Sequence, residues 1–255
     1  MLKRSKSLKL NKKPAEPGVI ITGADRGLGL SLCEEFLARG WTVFAGKFLQ
    51  DYELLERLRE KNPALHIVPL DIGDVQSIAK ARDFVAEKTS SLDMLISNAA
   101  LMGKVQCSID EPPMDLTAPW NSFRVNALGP AYMTEYFLPL LDKGNLKRLC
   151  FVSSEVSCVS LMKHRAGSSY PYPMSKSSLN MAVRLMYNLL YPQGYTFRLY
   201  HPGWMKQMLP DKSLSETAEY DPAWTAAHAA KYFETPLADE HRLVMYDYLD
   251  QEWPF

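Results

Sequence analysis

The chain has 255 residues, 47% of them hydrophobic and 23% charged, with 29 acids against 29 lysines and arginines. That length suits one α/β domain, or two small ones, with a substantial core. Six bases and no acid fall in residues 1–13 (Lys3, Arg4, Lys6, Lys9, Lys12, Lys13), leaving 23 basic against 29 acidic residues in the rest and no sign of a nucleic-acid face.

The basic start lacks the apolar stretch of a secretory signal. It is acid-free and contains serines, as transit peptides do, but it is short, and residues 1–17 read as a flexible extension before a domain spanning 18–255. "GVIITG" from Gly18 is a short apolar run ending in glycine, as in a buried parallel strand. "LGLSLCEEFLARG" has helical spacing and stops at Gly40. "WTVFAG" reads as a second strand, and "DYELLERLREKN" as an amphipathic helix halted by Asn62-Pro63. "HIVPLD", "LDMLISNAA", "KRLCFVSS" and "YTFRLYHPG" are the next four strands, and "RLVMYDYL" a last one. Between them, "VQSIAKARDFVAEKT", 120–141, 174–191 and 222–233 read as helices. This alternation implies a doubly wound, Rossmann-like parallel sheet in a single α/β domain, with helices on both faces. A proline-rich loop (Pro112, Pro113, Pro119) precedes 120–141, and loops 99–118 and 154–172 are longer than connections need and follow strand C-termini, where ligands bind in such sheets.

No run approaches the ~20 apolar residues of a membrane span. Cys33, Cys107, Cys150 and Cys158 lack metal-ligand spacing, so the expectation is buried thiols in a reducing compartment, a cytoplasmic location and no metal.

"TGADRGLG", Thr22 to Gly29, stands between the first strand and the first helix. Gly23, Gly27 and Gly29 let backbone approach a pyrophosphate at the helix N-terminus. Further on, "SSYPYPMSKSSLNM" places Lys176 four residues after Tyr172, on the same helical face. A neighbouring ammonium favours phenolate and lowers a tyrosine pKa from its ordinary ~10, which suits proton exchange with a carbonyl or alcohol oxygen. Tyr170 has Met174, not lysine, at that spacing. Pro173 fits the first helical position, which leaves Tyr172 extended before it.

These motifs, with "DIGD" (Asp71 to Asp74), "SNAA" (Ser97 to Ala100), Asn126 in "RVNALGP", "FVSSEVS" and "HPGW" (His201 to Trp204), together resemble the short-chain dehydrogenase/reductase family from about Gly18 to the C-terminus. The ending "YDYLDQEWPF" is similar to that of carbonyl-reductase-like members. The resemblance implies a catalytic set of Asn126, Ser154, Tyr172 and Lys176. Tyr172 would be general acid or base, Ser154 would hold the substrate oxygen, and Asn126 would position Lys176 through a water. It also implies cofactor contacts from Thr22, Gly23, Arg26, Gly27, Leu28, Gly29, Lys47, Asp71, Ile72, Asn98, Ala99, Tyr172, Lys176, Pro202 and Gly203.

Ser154 and Tyr172 are 18 residues apart against about 13 in the family, and Ser153 and Ser157 are alternatives. Other departures are Glu155 after the serine pair, Ala100 for glycine, Gln207 for a threonine, and Asp25 in the glycine loop, which puts a carboxylate near the adenosine end. An NAD enzyme places an acid at the end of strand two to bind the ribose diol. Here that position is Lys47, no acid comes until Asp51, and Arg26 precedes Gly27. NADP(H) is therefore expected over NAD(H), with Lys47 and Arg26 clamping the 2′-phosphate.

The expected function is hydride transfer between NADP(H) and a small-molecule carbonyl or alcohol. The alternatives are a catalytically silent cofactor-binding sensor or scaffold of the same fold, and a nucleotide-sugar epimerase or dehydratase, disfavoured by the roughly 50 residues after Pro202. The resemblance implies a mobile apolar flap at Trp204, Met205, Met208 and Leu209, with core packing as the alternative. His164 reads as solvated and His201 as structural. No nucleic-acid or membrane partner is expected. Apolar faces in 120–141 and 174–191 would suit a homodimer or homotetramer, or burial within a monomer.

Overall fold

The computed structural model describes residues 16–102, 107–108, 117–163, 169–209 and 213–255. Most of the basic extension, Pro112, Pro113 and His164 lie outside these residues.

Strands β1 (Gly18–Ile21), β2 (Thr42–Lys47), β3 (Leu65–Pro69), β4 (Met94–Ser97), β5 (Arg148–Val152), β6 (Thr196–His201), β7 (Met245–Asp247) and β8 (Glu252–Trp253) form one sheet in the order β3-β2-β1-β4-β5-β6-β7-β8. Every pairing is parallel except the closing β7–β8 hairpin. The helices are α1 (Gly27–Ala38), α2 (Leu54–Lys61), α3 (Val75–Ala86), α4 (Thr117–Phe123), α5 (Gly129–Leu141), α6 (Pro171–Leu190) and α7 (Pro222–Glu234).

Alternation along each strand decides which layer it feeds. Val19 and Ile21 of β1 face α1, α2 and α7, where Leu32, Phe36, Leu55 and Phe233 form one core. Ile20 faces α3, α5 and α6, where Ile78, Phe137, Leu179 and Val183 form the other. The sheet is thus doubly wound, as the strand–helix alternation predicts.

Three elements differ from expectation. The helix expected at 120–141 is α4 and α5 joined by a π turn, Arg124–Leu128. The final strand is shorter than "RLVMYDYL", because the chain folds back into β8. The third concerns α6, which begins at Pro171, not after Tyr172. Pro171 takes the first helical position and Pro173 the third, both within the turn whose N–H groups need no helical partner. Tyr172 is therefore helical and not extended. No helix among the described residues is long and apolar enough to cross a membrane.

Candidate active site

The glycine loop follows β1 and is locked to the end of β4. The Thr22 hydroxyl accepts from the Asn98 and Ala99 N–H groups, each at 3.0 Å. The Asn98 amide donates to the Thr22 and Gly23 carbonyls at 2.9 and 3.1 Å. Gly23 is left-handed (φ +64°), and a Cβ there would lie 2.7 Å from Ala99. A Cβ on Gly29 would lie 2.1 Å from the Gly23 carbonyl oxygen. Gly27 (φ +58°) instead faces open space. No side chain caps α1, and buried Leu28 anchors its first turn in the core. The first-turn N–H groups and the positive end of the helix dipole are thereby left to an anion.

At the end of β2 the expected cations are already engaged. Arg26 donates to the Tyr52 hydroxyl at 2.7 Å and the Met208 carbonyl at 3.2 Å, with its guanidinium over the Tyr52 ring. Lys47 donates to Glu56 at 2.7 Å. The chain has no acid between Lys47 and Asp51, yet α2 carries Glu56 back over the end of β2 to meet Lys47. Burial works against the Glu56 carboxylate, yet the Lys47 bond holds it below the usual range. Its second oxygen is buried without a hydrogen-bond partner. Asp25 accepts from the Phe48 and Leu49 N–H groups, both at 2.8 Å, and burial pushes its pKa up. It thus closes the turn after β2.

After β3, Asp71 accepts from the Gly73 N–H at 2.8 Å, and the Ile72 carbonyl lies where a Cβ on Gly129 would intrude. After β6, Pro202 is buried and left-handed Gly203 packs against the Tyr248 ring, 2.6 Å from where its Cβ would be. His201 sits buried between the Tyr248 and Trp253 rings. In the expected flap, Met205 bridges to Tyr220 and Met208 to Leu214, while Trp204 is 68% exposed. Gln207 reaches Met102, joining the loops after β4 and β6.

The catalytic candidates converge where β5 meets α6. The Ser154 hydroxyl hydrogen-bonds Tyr172. The alternatives point elsewhere, since Ser153 and Ser157 are 1% and 3% exposed and bonded inward. Lys176, 2% exposed, lies with Nζ 5.7 Å from the Tyr172 ring centre and donates to the Val152 carbonyl at 2.8 Å. Burial pulls Lys176 down to about 8.

The expected lowering of Tyr172 by Lys176 is reversed in the protein alone. Burial pushes the phenol up to about 12, against the pull of the Ser154 bond. Lys176, which loses its own charge near 8, is neutral where this phenol ionises and so does not lower it.

Asn126, fully buried, sits in the π turn, a distortion frequent at functional sites. It accepts from the Leu101 N–H at 2.7 Å and donates to the Leu101 carbonyl and to Ser175 at 2.8 and 2.9 Å. Its direct partner on α6 is therefore the residue before Lys176. Ser175, Tyr52 and Glu56 were not singled out in the sequence. Only the position of Ser175 beside the lysine hinted at a role. The four cysteines are buried thiols, and among the described residues no cluster of His, Cys, Asp and Glu could hold a metal.

Comparison with known proteins agrees with this geometry. The family described as short chain dehydrogenase matches residues 18–217. An uncharacterised oxidoreductase of Schizosaccharomyces pombe is 30% identical over 205 residues, 79% of each chain. The C-signal protein of Myxococcus xanthus is 35% identical over 169 residues, 66% of this chain and 95% of that one. Among solved structures, the NADPH-bound carbonyl reductase from chicken fatty liver superposes with a TM-score of 0.82 at 25% identity, covering 94% of this chain and 99% of that one. A carbonyl reductase from Pseudomonas aeruginosa in complex with NADP gives 0.78 at 26%, covering 94% and 100%. The glycine loop on α1, the buried lysine beneath Tyr172 and the match across most of the chain establish that this protein belongs to the short-chain dehydrogenase/reductase family, as a carbonyl-reductase-like oxidoreductase.

Proposed function

We propose that the protein transfers hydride between NADP(H) and an aldehyde or ketone, or the corresponding alcohol, with Tyr172 as general acid or base. The observation that carries this reading is the triad itself: Tyr172 bonded to Ser154 and standing over buried Lys176.

The residues present fit the dinucleotide. α1 is uncapped and the space at Gly27 is open, so a pyrophosphate would meet N–H groups there. Arg26 would turn from the Met208 carbonyl to a 2′-phosphate, a stronger acceptor. Lys176 would hold the nicotinamide ribose. Asp71, Ile72, Asn98, Ala99, Pro202 and Gly203 would shape the walls. When bound, NADPH supplies the hydride.

In reduction, Ser154 donates to the substrate carbonyl oxygen and Tyr172 delivers its proton to that oxygen. In oxidation, Tyr172 takes the alcohol proton. The Lys176 ammonium favours phenolate once cofactor and substrate displace water and Lys176 is held charged. Exposed Leu101, Met102, Trp204 and Leu209 follow β4 and β6, where they would favour an apolar substrate.

Tyr172→Phe is expected to reduce carbonyl reduction by at least ~100-fold while leaving NADPH affinity within about twofold. Steady-state rates across a carbonyl panel, with NADPH and NADH in parallel, test both parts. Retained activity in the variant overturns the role of Tyr172. Equal or better kcat/KM with NADH overturns the cofactor preference. NADPH binding without turnover of any carbonyl or alcohol would favour the silent sensor.

A further inference from the structure

Ser154 and Tyr172 are 18 residues apart, so no local turn fixes the distance between them. What connects them is a buried chain of polar groups. The Asn180 amide N–H donates to the Ser157 hydroxyl at 2.8 Å, and the Ser157 hydroxyl donates to the Ser154 carbonyl at 2.5 Å. The Ser153 hydroxyl donates to the Asn180 carbonyl oxygen at 2.7 Å, which fixes the amide's orientation. Ser153, Ser157 and Asn180 are all at most 4% exposed, so water does not compete.

The direction of the chain matters. A serine hydroxyl has one proton. Because Asn180 fills the acceptor side of Ser157, that proton goes to Ser154. Asn180 lies four residues after Lys176 and eight after Tyr172, so all three share one face of α6. Ser177, on the same helix, donates to the Ser157 carbonyl at 3.1 Å. The 3₁₀ turn Glu155–Ser157 is thereby held to the helix that carries Tyr172.

We propose that Asn180, acting through Ser157, is a positioning residue that holds Ser154 in reach of Tyr172 and replaces the restraint a shorter loop would supply. The proposal rests on Ser154 and Tyr172 acting as described above. Hydrogen-bond reach is short, and a displacement near 1 Å is enough to cost about 100-fold in rate.

Ser157→Ala removes one oxygen and leaves the volume nearly unchanged. It is expected to lower kcat by about 10- to 100-fold with NADPH affinity unchanged. It is also expected to move the acidic limb of alcohol oxidation to higher pH, because Tyr172 loses the Ser154 bond that favours phenolate. Asn180→Asp, nearly isosteric, reverses the chain by offering Ser157 an acceptor, and should act in the same direction. The decisive arm is the double variant: in a Ser154→Ala background, Ser157→Ala should cost little more. Additive losses, an unmoved pH limb, or kcat within twofold of wild type in folded Ser157→Ala would each overturn the proposal. If Ser154→Ala and Tyr172→Phe are themselves near wild type, the functional reading falls first and takes this one with it. If they are impaired and Ser157→Ala is not, only the positioning role falls.

Discussion

Lys176 gives up its hydration shell to sit beneath Tyr172 and recovers a hydrogen bond to the Val152 carbonyl. That imbalance is why burial pulls its pKa from 10.5 to about 8. In the unfolded chain the ammonium survives to about 10.5. Between those limits the unfolded state binds a proton that the folded state has lost, so stability rises with pH there, and below about 8 the burial cost is present in full. Denaturant melts of wild type and Lys176→Met should show the difference moving in favour of wild type by roughly 2–3 kcal/mol between pH 8 and 10.5. A flat difference would show that Lys176 is not held in this way. Glu56 invites a second test at this scale. It neutralises Lys47, the cation expected to greet a 2′-phosphate. Glu56→Gln should raise the NADPH-to-NADH ratio of kcat/KM by about three- to tenfold. No change would place Lys47 away from the phosphate.

At the scale of elements, the glycine loop separates strain from collision. Gly27→Ala puts a side chain at φ +58° in open space, for about 1–2 kcal/mol and a Tm loss of roughly 2–8 °C. Gly29→Ala must move the Gly23 carbonyl, which a Cβ would approach to 2.1 Å, and with it the Asn98 contact that joins β1 to β4. Thermal melts should therefore rank Gly29→Ala as the more damaging, and titration with NADPH should show the greater loss of affinity. The reverse order would mean that the loop relaxes around Gly29. Much of this loop was legible beforehand, because glycines after an apolar strand constrain the backbone within a few residues. The start of α6 was less legible. Two prolines compete for the first helical position, and packing of Pro171 decides in its favour.

At the scale of the whole molecule, the C-terminal third is held by two buried arginines. Arg198 (0% exposed) and Arg148 (3%) lie on adjacent strands and donate to the last carbonyls of α7 and to Glu240. Burial alone would raise the Glu240 pKa, but the Arg198 bond outweighs it and the carboxylate is lowered. Its contribution is thus present above the ordinary glutamate range and lost as pH falls through the lowered value. Glu240→Gln leaves two like charges unneutralised and should cost about 3–5 kcal/mol, read as a lower denaturant midpoint with NADPH affinity of the folded fraction unchanged. A loss under about 1 kcal/mol would show that α7's carbonyls suffice to hold both guanidiniums.

The strand–helix alternation, the glycine loop, and Tyr172 with Lys176 on one helical face are legible in the residues alone. Each is written in residues less than two turns or one strand apart, where backbone geometry alone fixes the outcome. That Ser154, and neither Ser153 nor Ser157, meets Tyr172 depends on how β5 and α6 pack. Packing likewise brings Glu56 to Lys47, sets Asn126 against Leu101 and Ser175, and buries Tyr172 so that its pKa rises. Those partners come from different elements, and their distances and desolvation are set by how helices pack on the sheet.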